Sequence, residues 1–173
     1  MSRGKLRATV SSMTSPTQQI DLTSNDYFMN EALRQARLAY DAGEVPIGAV
    51  IVHNAKIIAR ACNQVELLKD ATAHAEMLAL TQAAAALGDW RLEGCTLFVT
   101  KEPCPMCAGA IVLARVTRLV FGVRDPRAGG AGSVFPIATF GGLNHTVEVV
   151  AGVQETATRD LLQNFFREKR REE

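Results

Sequence analysis

A chain of 173 residues has the size of one compact domain, and with 47% hydrophobic residues it has the material for a sizeable core. No uninterrupted apolar run approaches the roughly 20 residues that a membrane-spanning helix needs, so an integral helical membrane protein is excluded and no membrane partner is expected. A net charge of +1 gives no global case for nucleic acid, leaving RNA contact to local basic patches. Four cysteines with one close pair, Cys104 and Cys107, do not form a secreted disulfide framework, so a reducing, cytoplasmic setting is expected.

The first two dozen residues carry Ser2, Thr9, Ser11, Ser12, Thr14, Ser15 and Thr17 among Arg3, Lys5 and Arg7, with no acidic residue before Asp21. The bias is that of an organellar transit peptide, but no amphipathic repeat and no apolar h-region accompany it. Residues 1–24 therefore read as a disordered extension, and 25–173 as a single domain.

From Asn25 onward, Met29, Ala32, Leu33, Ala36 and Ala39 recur at helical spacing, with Ser24 or Asn25 as cap and Gly43 as terminator. Residues 47–52 and 57–59 predict two strands joined by the turn His53-Asn54-Ala55-Lys56. The Ala- and Leu-rich stretch 75–87, stopped by Gly88, predicts a mostly buried helix. A strand over 95–100, a helix opening at Pro105 and a strand over 119–121 make a βαβ unit, whose right-handed crossover lays the helix on one sheet face. The glycine-rich stretch 124–144 reads as loop, 147–150 as a last strand, and 155 to about 170 as a C-terminal helix. The fold class is α/β, one sheet with helices on both sides.

The chemistry lies in His74-Ala75-Glu76 and in Pro103-Cys104-Pro105-Met106-Cys107. Cysteines three apart share a helix face, and the positive end of a helix favours thiolates, so Cys104 and Cys107 suit a borderline-soft ion together with the His74 imidazole. One zinc per chain is expected. Three protein ligands leave a tetrahedral zinc one position short, which marks a catalytic rather than a structural site. Cys62, Cys95, His53 and His145 sit at no ligand-like spacing to the three. Water is expected at the fourth position, made acidic by the metal, with Glu76 as the carboxylate that accepts and returns its proton. His74 and Glu76, two apart, share a site only if a helix begins between them, and Thr72 is a suitable cap for such a start. A lone Cys-x-x-Cys would instead suggest a redox pair or half of a structural zinc site; the His-x-Glu partner argues against both. His145 reads as a loop or capping residue, with substrate contact as its alternative.

These motifs are those of the zinc nucleobase deaminases. The chain resembles the bacterial tRNA-specific adenosine deaminases through Glu44-Val45-Pro46-Ile47-Gly48-Ala49-Val50, Thr72-Ala73-His74-Ala75-Glu76, Glu102-Pro103-Cys104-Pro105-Met106-Cys107-Ala108-Gly109-Ala110, Gly130-Ala131-Gly132-Ser133, Leu143-Asn144-His145 and Phe165-Phe166-Arg167. It departs from them at Ala71, where a proline is frequent, and at Arg127-Ala128-Gly129, where Lys-Thr-Gly is frequent. The resemblance implies a three-layer α/β/α sandwich of the cytidine-deaminase kind, with a mixed central sheet and helices on both faces. It also implies a homodimer, a tRNA anticodon stem-loop as partner, Asn63 in contact with the target base, and hydrolytic deamination of the wobble adenosine to inosine. In that reaction zinc hydroxide adds to C6 of a flipped-out adenine while Glu76 protonates the ring and then the departing ammonia. Two other functions compete: deamination of a free base or nucleoside such as guanine, cytosine or cytidine, and a non-catalytic zinc-containing RNA-binding module, which the presence of Glu76 disfavours.

At the C-terminus, Leu161, Leu162 and Phe165 fit the buried stripe of a helix, while Arg167, Lys169, Arg170 and Arg171 gather near its end. Such a cluster is often simply solvated. Here it is also placed to meet phosphates, with Phe166 free to pack on a base.

Overall fold

The computed structural model describes residues 21–172. Helix α1 (Asn25–Asp41) begins at Ser24, whose Oγ accepts from the Tyr27 amide at 3.1 Å, so Ser24 rather than Asn25 is the cap. Its stripe of Phe28, Met29, Ala32, Leu33, Ala36 and Ala39 is buried, as the 3.6-residue spacing requires. Strands β1 (Gly48–His53) and β2 (Lys56–Cys62) form an antiparallel hairpin turned by Asn54 and Ala55, both in the left-handed region with φ of 49° and 59°. β2 extends past the predicted end at Ala59 to Cys62. A four-residue helix α2 (Val65–Leu68), too short to show a period in the sequence, follows before α3 (Ala75–Leu87), which Gly88 ends in a left-handed conformation. Then come β3 (Cys95–Lys101), α4 (Pro105–Leu113), β4 (Arg118–Val123), β5 (Glu148–Ala151) and α5 (Glu155–Glu172). None of the described helices is long and apolar enough to cross a membrane.

The five strands lie in the order β2-β1-β3-β4-β5, with β1 antiparallel to both neighbours and β3, β4 and β5 parallel. The expected βαβ unit is β3-α4-β4. Alternation along the strands sends Ala49, Ile51, Leu97, Val99, Leu119 and Phe121 to one face, where α3 and α4 cover them. Val50, Val52, Phe98 and Val120 face α1 on the other. α5 lies on the α1 side, where Phe165 packs edge-on against Tyr40. This is the three-layer α/β/α sandwich with a mixed sheet. Gly48 lets α1 lie on β1, because a Cβ there would stand 2.1 Å from the Ala32 carbonyl oxygen.

One expectation is corrected. α3 is not mostly buried: Ala75, Glu76, Ala79, Leu80 and Ala83 face inward, whereas Thr81, Gln82, Ala85 and Ala86 are exposed. Alanine content reports helix propensity, and a helix laid on one side of a sheet buries only the face it turns to that sheet.

Candidate active site

Two helix starts meet at the C-terminal end of β3. Asp70 Oδ1 accepts from the Thr72 amide at 2.8 Å and from the Thr72 hydroxyl at 2.7 Å, which winds the chain into a turn ahead of α3. Thr72 is therefore not the cap expected from the sequence. His74 takes the N-cap position with extended backbone (φ −71°, ψ 151°), and its side chain is left free because it caps nothing. Helical geometry starts at Ala75, so Glu76 falls in the first turn. The kink between an extended His74 and a helical Glu76 brings together two side chains that a continuous helix would point apart.

Cys104 is in turn the N-cap of α4 (φ −69°, ψ 172°), Pro105 opens the helix, and Cys107 is fully buried in its first turn. His74 Nδ1 lies 3.6 Å from Cys104 Sγ and 3.4 Å from Cys107 Sγ, and one ligand atom from each residue falls within 4.8 Å of the others. One imidazole nitrogen and two sulfurs so gathered form a donor set for a metal ion. The hydrogen bond between the sulfurs, followed by that to His74, holds the Cys104 thiol down to about 4, and the same bond pushes Cys107 up. The bond to Cys104 raises the His74 imidazole.

Glu76 is 3% exposed, and among the described residues no donor reaches its Oε2. Burial pushes its carboxyl up, while its own backbone N–H, the His74 charge and the Cys107 thiol pull it back. An orphan carboxylate oxygen beside a nitrogen and sulfur donor set is costly unless a further group occupies the site, so the residues fit a metal with a water or substrate next to it.

His74 also lines a cavity of about 580 Å³ together with Glu44, Val45, Asn63, Phe165 and Lys169. Asn63 is buried at the end of β2, where its amide nitrogen donates to the Ile47 carbonyl at 3.0 Å. The neighbouring Gln64 amide donates to the carbonyl of Ala73, one residue before His74, also at 3.0 Å. Asn63 and His74 are thereby held in one frame.

The stretch 124–144 is a loop, as expected, but one tied to the site through Glu102. This buried carboxylate accepts from the amides of Asp125 (2.9 Å), Ala131 (3.1 Å) and Ser133 (3.0 Å) and from the Ser133 hydroxyl. Burial would raise Glu102, but these donors hold it below the usual carboxylate range. Gly130 donates its amide to the Pro103 carbonyl at 2.7 Å, and a Cβ on it would stand 2.8 Å from Ala108 Cβ and 3.0 Å from the Cys104 carbonyl oxygen. Neither Glu102 nor Glu44 stands out in the sequence beyond its place in a motif. Their burial is a property of the packed chain.

Cys62, Cys95 and His53 lie outside the donor set. His145 Nε2 is 2.7 Å from the Val116 carbonyl oxygen, a structural bond in the loop, and His145 is not among the residues lining the cavity. On α5, Phe165 is 6% exposed and Phe166 44% exposed, in line with the predicted stripe. Phe166, Arg167 and Arg170 surround a hollow of about 650 Å³ with Arg127 from the glycine-rich loop.

Residues 23–170 match the sequence model of the MafB19-like deaminase family. The chain is 51% identical over 150 residues to the tRNA-specific adenosine deaminase of Bacillus subtilis (strain 168), covering 87% of this chain and 93% of that one. A solved structure described as showing A-to-I editing by tRNA:A34 deaminases at the wobble position of transfer RNA superposes with a TM-score of 0.76 at 43% identity, over 79% of this chain and 99% of that one. A guanine deaminase from Nitrosomonas europaea shares the fold with a TM-score of 0.72 at 25% identity, over 94% and 98% of the two chains.

Proposed function

The chain belongs to the tRNA-specific adenosine deaminases within the MafB19-like deaminase family, and on that footing we propose that it converts the wobble adenosine of a tRNA anticodon loop to inosine by hydrolysis. The observation that carries this reading is the meeting of His74 Nδ1, Cys104 Sγ and Cys107 Sγ beside a buried Glu76 carboxylate with one unpartnered oxygen, where His74 also lines a cavity of about 580 Å³.

His74, Cys104 and Cys107 would hold one zinc per chain, which when bound supplies a Lewis acid that makes water acidic near neutral pH. A C6–O bond forms from water, the C6–N6 bond breaks, and ammonia leaves. Glu76 is the group that carries the protons: it accepts one from water and passes it to the ring nitrogen, then takes the proton of the new C6 hydroxyl and delivers it to the departing amino group. Asn63, which lines the same cavity as His74, contacts the target base and sets its orientation. The reaction needs the base turned out of the anticodon stack, which a single-stranded loop allows at low cost.

The outer surface of α3 and α4, where Met77, Ala84, Trp90 and Leu113 line an apolar hollow, is the face we assign to a homodimer. Sedimentation equilibrium reads the mass directly. All four cysteines are free, which goes with a cytoplasmic setting. We take 25–173 as the deaminase domain and 1–24 as an extension; of the latter, residues 1–20 lie outside the described residues, and residues 21–24 form the turn into α1.

The test is incubation of the purified protein with an anticodon stem-loop transcript carrying adenosine at the wobble position, and separately with guanine, cytosine and cytidine. Inosine in the stem-loop, with the free bases and the nucleoside unchanged, is expected. Turnover of guanine or cytidine alone would overturn the substrate, and no turnover of any would overturn the enzymatic reading.

A further inference from the structure

Glu44 presents an unexplained cost. It is 2% exposed, it follows the end of α1, and no basic side chain pairs with it among the described residues. A buried carboxylate is tolerated when donors surround it. Here there are two: the Leu67 amide, at 2.8 Å from Oε1, and the Asn63 side-chain amide, whose Nδ2 lies 3.2 Å from Oε2.

The second contact has a directional consequence. An ionised carboxylate only accepts, so the Asn63 amide has to turn its NH2 edge towards Glu44. That removes the two-fold ambiguity of a primary amide, and it leaves Asn63 with its carbonyl oxygen and one remaining N–H to offer. Both residues line the cavity that His74 also lines. The backbones are fixed as well: the Glu44 amide donates to the Ala39 carbonyl at 2.9 Å, and the Asn63 amide donates to that of Ile47.

We propose that Glu44 is a positioning residue, which locks the Asn63 side-chain amide in one orientation and so determines which hydrogen-bonding edge the substrate base meets. This rests on the reading of Asn63 as the residue that touches the base. Glu44 itself touches no reacting atom.

A double-mutant cycle tests it, with kcat and KM measured on the stem-loop for Glu44→Gln, Asn63→Ala and the double variant. Glutamine keeps the volume but has one acceptor oxygen for two donors. Loss of a hydrogen bond to a charged group corresponds to a drop in kcat/KM of roughly tenfold or more, taken mainly in KM, with zinc content unchanged. In the Asn63→Ala background, Glu44→Gln should change kcat/KM by less than about twofold, since it has no amide left to orient. The same tenfold loss in that background would overturn the proposal and return Glu44 to supporting α2 through Leu67. The side-chain amide resonances of Asn63, identified by their loss in Asn63→Ala, should shift in Glu44→Gln; an unchanged pair would also overturn it. If Asn63→Ala leaves kcat/KM intact while those resonances do shift in Glu44→Gln, the base-contact reading fails, and the link from the lock to substrate choice is overturned with it. Should Glu44→Gln not fold, Glu44→Asp, with the same charge one methylene shorter, takes its place in the cycle.

Discussion

His74 Nδ1 and Cys107 Sγ stand 3.4 Å apart although 33 residues separate them in the chain. The contact exists because α3 and α4 lie on the same face of the sheet and both begin at one end of it. It brings a nitrogen and, with Cys104, two sulfurs to one point.

If that point is a metal site, the purified protein carries one zinc per chain, and His74→Ala or Cys104→Ser loses it or binds it far more weakly. Elemental analysis measures this. Full activity in wild-type protein free of zinc and of any substitute metal would refute the assignment.

Glu76 lies beside the donor set and has a free oxygen, so it should be needed for proton transfer rather than for holding the ion. Glu76→Ala is expected to retain zinc while turnover falls by about 10²- to 10⁴-fold. Single-turnover inosine formation together with metal content separates the two roles. Near-normal turnover in this variant contradicts the proton-transfer role.

Lys101 and Asp125 form a half-buried ion pair next to the loop that Glu102 holds. Burial raises the Asp125 carboxyl, but the Lys101 ammonium and the Arg127 amide more than offset this and hold it below its ordinary value of 3.8. A carboxyl depressed in the folded state adds stability that is present above its unfolded pKa and is lost as pH falls through its folded pKa. Urea denaturation from pH 6 down to about pH 2 should show wild-type stability declining through the acid range, with Asp125→Asn less stable at pH 6 and with a shallower decline. Parallel curves for the two proteins would show that the pair contributes nothing to the acid limb.

The basic end of α5 borders both the cavity, through Lys169, and the hollow lined by Arg127, Arg167 and Arg170. Replacing Arg167, Lys169, Arg170 and Arg171 by alanine should weaken stem-loop binding without changing zinc content. The slope of log K against log salt should fall by roughly 0.7 to 0.9 for each phosphate that the variant no longer neutralises. Binding titrations at several ionic strengths decide it, and an unchanged affinity and slope would mark the cluster as a solvated helix end.

The residue types and spacings alone are enough for the His-Cys-Cys donor set and for most of the fold. Helical and alternating periods are local, so α1, the hairpin, the β3-α4-β4 unit and α5 are legible in order, and His-x-Glu with Pro-Cys-x-x-Cys names its own donor set. Short-range signals fail where another partner competes for the same group. Thr72 has the composition of a cap, but Asp70 takes its hydroxyl and the cap position passes to His74. The sequence leaves His145 open to a substrate role, and packing places it against the Val116 carbonyl. Glu44 and Glu102 look in sequence like any exposed acid; only the folded chain surrounds one with the Asn63 and Leu67 amides and the other with the amides of the glycine-rich loop. Burial and partner choice depend on groups that meet across the sheet from distant parts of the chain, and no local pattern carries that information.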